Sequence, residues 1–358
     1  MLKRLRVQGY QTLVDTELLL TPFTLLLGKN GAGKTALLDA IARVASFARG
    51  GPKLMFGPAP VDIDLRRTNG HGGRLPLSFE VDFDFGQTLY RLRIELPVKR
   101  GSADPGVENV RLVRLPANEV VHLLPPVIPG QPPQDPAEYN KALASVATAR
   151  VFDLDPRQIE RPCDEHQSGL RRDGHGVASF LANLPPDRLR ELEDRFKRLR
   201  PGTVALKVWG GDASQVYWGV QDTDAGDWSI PAPLLSWGDR LLVGMLCALF
   251  SSSPGALVGF EEADRGFHPS RYQAVVELLS EATEIGVGTD GPVQVIATSH
   301  SPALVSRFHD RLDELRLVTR KGSEGSRVHS VADLVKARLG VDRTTAPIGD
   351  VWAMDLLE

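Results

Sequence analysis

The segment GKNGAGKT, residues 28–35, constrains the fold of this 358-residue chain more than any other feature. It fits the pattern G-x-x-x-x-G-K-[ST], in which glycines let backbone N–H groups converge on phosphate oxygens. The apolar run FTLLL at 23–27 precedes it and predicts a strand buried on both faces. Apolar residues then recur at helical spacing at Leu37, Leu38, Ile41, Val44, Ala45 and Ala48. A buried strand, a glycine-rich loop and a helix N-terminus together predict a site for the phosphates of a nucleotide.

All eight residues of this segment are candidate nucleotide ligands: Gly28, Lys29, Asn30, Gly31, Ala32, Gly33, Lys34 and Thr35. Lys34 is expected to bridge the β- and γ-phosphates of ATP, and the Thr35 hydroxyl to ligate Mg²⁺. The alternative is a glycine-rich turn with a solvated lysine. The strand before the segment and the helix after it favour the phosphate-binding interpretation.

Strand and helix patterns follow one another in the first two thirds of the chain. LSFEVDFDF at 77–85 and LYRLRIEL at 89–96 alternate on either side of a Gly86-Gln87 turn and predict an antiparallel hairpin. Residues 101–136 are rich in Pro and Gly and predict a loop or linker. Residues 137–200 have a mainly helical pattern broken by prolines. Its clearest helix has an apolar stripe of Leu189, Leu192, Phe196 and Leu199.

Strand signals return from Thr203, at 204–209, 215–220, 256–260 and 293–298, with helices predicted from about 239 to 250 and from near Pro269. This alternation predicts an α/β fold whose largely parallel sheet is covered on both faces. The chain is divided accordingly into an N-terminal lobe with a β-subdomain (1–136), a helical subdomain (137–202) and a C-terminal lobe (203–358).

Two adjacent acids, Glu261 and Glu262, end the predicted strand at 256–260 in the segment GFEEADRGFHP. Ligands of open α/β sheets gather at this carboxyl edge. Adjacent residues on a strand point to opposite faces, so the two carboxylates are expected to do different work. One would hold the Mg²⁺ water shell and the other would polarise the attacking water. The alternative is a pair of solvated acids, which the phosphate loop makes the weaker interpretation.

Two weaker signals lie on either side of these acids in the chain. Ser236 and Gly238, in LLSWGDRLL, precede a predicted helix, and Ser is a common N-cap residue. His300, in IATSHSP, follows a predicted strand, where a lone histidine is more often structural than catalytic.

Composition limits which partners the protein can bind and in which cellular compartment it is expected. Lys plus Arg number 42 against 45 for Asp plus Glu, a net charge of −3, so a nucleic-acid partner would need a local basic patch. The helix near 186–200 mixes arginines with acids, which favours a solvated face. Cys163 and Cys247 cannot form a disulfide framework, no apolar run is long enough for a membrane span, and the N-terminus lacks the apolar region of a signal peptide. We expect a cytoplasmic protein without a membrane partner.

Taken in order, these motifs resemble those of the ABC-type ATPase superfamily, and above all the RecF/SMC-like branch of prokaryotic AAA family ATPases. The opening LKRLRVQGYQTLVDTELLLTPFTLLLGKNGAGKTALLDAI is similar to that branch's strand, turn, strand and Walker A start. GFEEADRGFHP resembles its acid-acid-Pro-Glu-x-x-Leu-His-Pro segment. The resemblance runs from Leu2 to about Phe308. It implies a P-loop NTPase fold with a two-lobed, ABC-ATPase-like architecture, an antiparallel β-subdomain and a helical insert.

The resemblance also implies roles for individual residues. Glu261 matches the Walker B acid that coordinates Mg²⁺, and Glu262 matches the catalytic base. Ser236 and Gly238 match the signature motif, which in this family contacts the γ-phosphate of the nucleotide on the partner subunit. His300 matches the switch histidine, and together with Glu262 and Lys34 it completes the predicted catalytic set.

The chain departs from the family pattern at several positions. Gln11 stands where the turn arginine is usual, Ala263 replaces the Pro after the acids, and Asp264 replaces the next Glu. The signature is short, and no Q-loop can be placed, since Gln87 lies in the predicted hairpin turn. These departures are compatible with slow hydrolysis.

The function implied is that of a Mg²⁺-dependent ATPase, hydrolysing ATP to ADP and phosphate, that forms a nucleotide-gated head-to-tail homodimer. No long coiled coil or Toprim nuclease is expected within the chain, so the effector it drives is expected to be a separate protein, such as a nuclease. A role in antiphage defence or DNA repair is an analogy from the family. The alternative is a non-hydrolytic, nucleotide-gated scaffold or DNA clamp, which leaves room for a nucleic-acid partner. The ATPase subunit of a membrane transporter suits the β-hairpin and the helical insert less well.

Overall fold

A computed structural model of the chain describes residues 1–56, 77–96, 109–124, 135–167, 169–211, 214–226, 228–341 and 346–357. Its strands are β1 (Leu2–Tyr10), β2 (Leu13–Leu19), β3 (Phe23–Leu27), β4 (Leu77–Phe85), β5 (Thr88–Leu96), β6 (Asn109–Leu115), β7 (Glu119–Leu124), β8 (Arg150–Phe152), β9 (Cys163–Asp164), β10 (Thr203–Gly210), β11 (Gln215–Asp222), β12 (Ser229–Pro231), β13 (Leu257–Phe260), β14 (Gln294–Ser299), β15 (Leu315–Arg320) and β16 (Ser326–Ser330). Its helices are α1 (Lys34–Gly50), α2 (Pro52–Phe56), α3 (Pro136–Ala147), α4 (Pro156–Ile159), α5 (Val177–Ala182), α6 (Pro186–Leu199), α7 (Trp237–Phe250), α8 (Tyr272–Glu284), α9 (Pro302–Val305), α10 (Val331–Leu339) and α11 (Ile348–Ala353).

The chain forms two compact units. Unit 1 comprises residues 1–150, 255–257 and 296–358, and unit 2 comprises residues 151–254 and 258–295.

Unit 1 contains two sheets. One is antiparallel, with the order β2-β1-β4-β5-β6-β7, and the other has the order β16-β15-β3-β14. All five side chains of β3 are buried, as expected of a strand covered on both faces, and β15 runs parallel to it. The predicted hairpin is confirmed as β4 and β5, which pair antiparallel around the turn at Gly86. Helix α1 begins at Lys34 and buries the apolar stripe that predicted it, except for Ala48, which is partly exposed.

Unit 2 is built around α7, a helix whose residues are buried from Gly238 to its end. Strands β10, β11 and β12 form an antiparallel sheet that β9 joins through β11, and β13 lies beside β8. The predicted amphipathic helix is confirmed as α6, which buries Leu192 and Phe196. The indole N–H of Trp218, on β11, donates to the Ile159 carbonyl at 2.9 Å.

One expectation of secondary structure is wrong, and two others need more detail. The loop predicted at 101–136 contains strands β6 and β7, because the alternation in NVRLVRL and EVVHLL was masked by the prolines and glycines around it. The parts of that loop at 101–108 and 125–134 lie outside the described residues. The region 137–200 includes strands β8 and β9 as well as helices. The sheet around β3 is mixed, since β16 joins β15 antiparallel.

None of the helices in the described ranges combines the length and the apolar character needed to cross a bilayer.

Candidate nucleotide-binding site

The glycine-rich loop joins β3 to α1 in unit 1, and two of its glycines are required by close packing. Gly28 has φ +149°, and a Cβ at that position would overlap the backbone carbonyl of Val318. Gly33 has φ +116°, and a Cβ there would overlap the hydroxyls of Ser326 and Thr12. A larger residue at either position would therefore push the loop away from its neighbours. The motif needs these glycines for packing as well as for approach to phosphate.

Lys34 lies at the first position of α1 with its side chain buried inside the loop. Its Nζ donates to the carbonyls of Gly28, at 2.6 Å, and Lys29, at 3.1 Å. It also lies 3.3 Å from Nδ1 of His300. Because an ammonium group has no lone pair, Nδ1 must accept this hydrogen bond. The neutral imidazole then carries its proton on Nε2, which leaves that nitrogen as a donor.

His300 follows β14, and Ser301 caps α9 immediately after it. The structure therefore brings together two predicted site residues that are 266 positions apart in the chain.

A buried cluster anchors α1 to β1 behind the loop. The Tyr10 hydroxyl donates to the Asp39 carboxylate, and Arg43 Nε donates to both, at 2.6 and 2.9 Å. Burial and the neighbouring Asp39 raise the pKa of Tyr10, so its hydroxyl stays protonated as a donor. Gln11, where the family has an arginine, donates to the same hydroxyl at 3.1 Å. This cluster fixes the direction of α1 and hence the position of Lys34 at its start.

In unit 2, the two predicted acids lie in the turn after β13, which ends at Phe260. The expectation that strand alternation separates them is wrong, because neither residue is on the strand. The backbone separates them instead, since Glu262 has a left-handed conformation with φ +47°. Such a conformation is strained for a residue with a long side chain, and strain of this kind concentrates at functional sites.

Each acid has an arginine beside it. Glu261, whose side chain is only 12% exposed, lies 3.6 Å from Arg172. Glu262, 39% exposed, lies 3.4 Å from Arg265. Arg265 also donates to Asp153 at 2.8 Å and to the Leu154 carbonyl at 2.6 Å, so it ties Glu262 to the end of β8. The two carboxylates therefore have distinct surroundings, one nearly enclosed and one open to water.

The strain at Glu262 predicts a reversal of the usual preference for alanine over glycine. Alanine pays about 1 kcal/mol in the left-handed region, whereas glycine does not. Glu262→Gly is therefore expected to need a higher urea concentration for unfolding than Glu262→Ala. At Glu277, exposed within α8, the same pair of changes should show the opposite order, by about 1 kcal/mol. The same order at both positions would contradict a strained turn.

The predicted signature residues lie at the N-terminus of α7 in unit 2. Ser236 is the N-cap, and its Oγ accepts from the backbone N–H of Asp239 at 3.1 Å. Asp239 is buried, and its carboxylate accepts hydrogen bonds from Arg271 at 2.6 Å and from Arg200 at 3.2 Å. These two contacts hold this end of the helix in place. Ser236 itself is exposed, as is Trp237 beside it. A rigid helix N-terminus with an exposed serine can offer both a hydroxyl and backbone N–H groups to an anion.

Gly238 lies in the first turn of α7, close to the segment that follows the acids. A Cβ on Gly238 would lie 3.1 Å from the carbonyl of Gly266, which is tighter than ordinary packing. Unit 2 thus packs the N-terminus of α7 against the turn that carries Glu261 and Glu262.

The donors proposed for Mg²⁺ suit that ion chemically. Thr35 supplies a hydroxyl oxygen and Glu261 a carboxylate oxygen, the hard donors that Mg²⁺ takes alongside water and nucleotide phosphates. Among the described residues, no group of three or more His, Cys, Asp or Glu side chains could hold a metal ion. Mg²⁺ in nucleotide sites is commonly held by only one or two protein side chains, so the oxygen donor of each residue, Thr35 in unit 1 and Glu261 in unit 2, suits this ion chemically.

Sequence reasoning missed the residues that support the site. Arg172, Arg265 and the Tyr10 cluster belong to no short motif, and their partners are distant in the chain. The segment LRRDGHG, with Arg172 in it, was the one available signal, since a glycine-rich run with arginines stands out between helices.

The family model described as "AAA domain, putative AbiEii toxin, Type IV TA system" (AAA_21) matches residues 23–306, well over half of the chain. The chain belongs to this AAA-domain family. Its match includes the loop, Ser236, both acids and His300, and members of this family are generally nucleotide-binding ATPases. No curated protein matches the chain.

Solved structures show the fold of this AAA-domain chain. It is similar to an SMC head bound to the C-terminal winged-helix domain of ScpA, with 13% identity and a TM-score of 0.58 over 92% of this chain and 96% of that one. It is also similar to the SMC head domain of Thermotoga maritima, with 15% identity and a TM-score of 0.51 over 92% and 98%. A Pyrococcus furiosus SMC head with an extended coiled coil, bound to the C-terminal domain of ScpA, gives 12% and 0.55 over 94% and 98%. The predicted α/β P-loop ATPase fold is confirmed.

Proposed function

We propose that this chain binds and hydrolyses Mg-ATP and that ATP closes a head-to-tail homodimer, which drives a separate effector protein. The observation that carries the proposal is the position of Lys34. Its buried ammonium group lies among the loop carbonyls of Gly28 and Lys29 and against Nδ1 of His300. A buried ammonium group at the start of a helix, enclosed by a glycine-rich loop, is a strong attractor for phosphate oxygens.

The residues of the chain divide the work as follows. The loop N–H groups and Lys34 bind the β- and γ-phosphates, while Thr35 and Glu261 hold Mg²⁺, which when bound neutralises developing negative charge on the phosphates. Glu262 accepts a proton from the attacking water, and its greater exposure suits a base that must meet solvent. His300 donates from Nε2 to the γ-phosphate and so reports whether that phosphate is present.

We place the second half of each site on the partner copy. The Ser236 oxygen already accepts the Asp239 N–H, so its hydroxyl hydrogen is the group left to donate to a phosphate. Trp237 is 50% exposed and Leu234, three residues earlier, is 67% exposed, and neighbouring exposed apolar residues of this size favour an interaction surface. Binding of this surface to the loop of a second copy would cover these side chains. ATP would stabilise the closed pair, and hydrolysis would release it.

The effector is proposed to be a separate protein, with a nuclease as the first candidate. Two of the similar SMC heads are bound to domains of another protein, ScpA, which supports a protein partner for a head of this fold. The family description names a toxin–antitoxin system, which supports a role in defence; DNA repair is the alternative by analogy with the fold. We also propose the division of the chain into an N-terminal lobe at 1–136, a helical subdomain at 137–202 and a C-terminal lobe at 203–358.

A non-hydrolytic scaffold is the second candidate, favoured by Gln11, Ala263 and Asp264, which replace residues usual in hydrolysing relatives.

A DNA clamp built on α6 has less support. Arg195 on this helix is paired with Glu281 at 2.7 Å, and Arg200 just after it is paired with Asp222 at 2.7 Å. DNA binding that weakens steeply with added salt would favour the DNA-clamp hypothesis.

Mixing two inactive variants tests the composite site. Lys34→Ala removes the loop of one subunit, and Ser236→Arg blocks the signature of the other. A mixed dimer keeps one intact composite site, so an equimolar mixture is expected to recover about a quarter of natural ATPase activity, given random pairing in a two-fold dimer. Ser253→Arg, an exposed serine beyond α7, should stay active alone and control for the introduced charge. No recovery at any ratio, with both variants folded, would indicate sites complete within one chain.

A further inference from the structure

A cavity of about 560 Å³ lies in unit 1 beside residues 29–32 of the phosphate loop. Its walls are the loop segment 29–32, the end of β15, β16 and α10. Val318, Leu334 and Leu357 give it an apolar floor. The volume falls within the range of pockets that hold small molecules, about 300–1,000 Å³. Residues 29–32 belong to the phosphate loop, but the other lining residues have no role in the nucleotide site proposed above.

The cavity is lined by cationic side chains from four parts of the unit. They are Lys29, Arg320, Lys321, Arg327 and Arg338. None of the described residues that line it is acidic. Two acids lie beside it, Asp355 paired with Lys29 at 2.9 Å and Glu324 paired with Arg327 at 3.0 Å. Both pairs are well exposed, so they are weak and an incoming anion can compete for the two cations.

His329 lies in the wall of the cavity, close enough to these cations for their charge to affect its pKa. Its pKa is lowered by burial first and then by the charges of Arg327, Arg338 and Lys321. Its Nε2 lies 3.4 Å from the Thr319 hydroxyl, which makes a neutral polar pair among the cations. Three cations on three separate elements therefore direct their charge to one point, as expected of a pocket rather than of scattered surface residues.

The cavity lies where ligands of α/β sheets collect. Strand β15 runs parallel to β3, so their carboxyl ends share one edge, and the pairing ends at Leu27 and Leu317. Beyond that point β15 continues beside the loop, with the Val318 carbonyl packed against Gly28. Arg320 reaches the Gly31 carbonyl at 3.5 Å. A ligand held by Arg320 would thus touch the back of the phosphate loop.

We propose that this cavity is a second anion site that binds a small molecule with two or more phosphate groups, separate from the ATP held by the loop. The cations pair with the phosphates, and the apolar floor accommodates an uncharged part of the ligand. The enclosed size suits a mononucleotide or an inorganic polyphosphate. Because residues 29–32 belong both to this site and to the phosphate loop, a ligand bound in the cavity would alter the surroundings of the loop.

Calorimetry with inorganic pyrophosphate tests the site in the full-length Lys34→Ala chain, in which the loop no longer competes. We expect one binding event, weakened at least tenfold by Arg338→Glu. Lys336→Glu makes the same charge change on the same helix outside the cavity and should alter affinity less than twofold. Competition by ADP would assign the ligand to nucleotides, and lack of competition would assign it to inorganic polyphosphates.

Two results would overturn the proposal. One is equal weakening by Arg338→Glu and Lys336→Glu, which would reflect general surface charge. The other is a single pyrophosphate event in the natural chain that both Lys34→Ala and Arg338→Glu remove, which would make the cavity part of the ATP site. Arg327→Gln, at an exposed position on β16, replaces Arg338→Glu if that variant fails to fold. A further pyrophosphate event in the natural chain saturated with a non-hydrolysable ATP analogue would support two sites without any variant.

Discussion

Glu262→Gln is expected to hydrolyse ATP at least about a hundredfold more slowly than the natural chain, the usual contribution of a general base. The amide keeps the shape of the carboxylate but cannot accept the proton of the attacking water. Lys34, Thr35 and Glu261 are unchanged, so Mg-ATP should bind with natural affinity. Steady-state phosphate release and calorimetry on the same preparation separate the two effects.

The same variant should trap the closed dimer. We propose that hydrolysis breaks the contacts between Ser236 and the γ-phosphate. Without the base, ATP stays intact and the closed dimer should not dissociate. Light scattering is expected to show a stable dimer of Glu262→Gln with ATP and less dimer with ADP. If the chain is dimeric without nucleotide, the change should be in compactness, which small-angle scattering measures.

Glu277→Gln is the matched control for this prediction. Glu277 is exposed on α8, in the same unit as Glu262 but outside the turn that follows β13. It should leave hydrolysis and dimerisation unchanged. Full ATPase activity in Glu262→Gln would refute its assignment as the base. Loss of activity in Glu261→Gln, with ATP binding weakened through Mg²⁺, would support the division of labour between the acids.

The parts of the fold that were predictable from the sequence are those set by local patterns. The continuous apolar run of β3, the stripe of α1 and the alternation of β4 and β5 each bury one consistent set of side chains, so periodicity predicted them. Strands β6 and β7 were missed because prolines and glycines around them outweighed a short alternation. Such strands are recognised only when a neighbour, here β5, pairs with them.

The candidate site divides in the same way. The residues that would contact phosphate follow from motifs, because phosphate binding needs particular residue types at fixed spacing. The left-handed backbone at Glu262 could not be predicted, since only the packing of a whole turn holds a long side chain there. The arginines beside the acids, Arg172 and Arg265, lie on segments brought together by the tertiary fold of unit 2.

Lys34→Ala is expected to weaken ATP binding by about a hundredfold, because a buried charge-assisted contact is worth up to about 3 kcal/mol. The change removes the charge inside the loop and also the donor that the Gly28 and Lys29 carbonyls use without nucleotide. Those carbonyls would then face the phosphates without a cation between them. Calorimetric titration with Mg-ATP, and with Mg-ADP in parallel, measures the loss.

Two further variants separate charge from packing in this prediction. Lys34→Met keeps the apolar stem of the side chain but removes the ammonium group, so it should bind ATP as weakly as Lys34→Ala while unfolding closer to the natural chain. Lys53→Ala, at an exposed position on α2, removes a positive charge outside the loop and should bind ATP normally. Unchanged ATP affinity in Lys34→Ala would disprove the assignment of residues 28–35 as the nucleotide site. The nucleotide would then not lie beside His300, so the proposed role of His300 as the switch would be disproved as well.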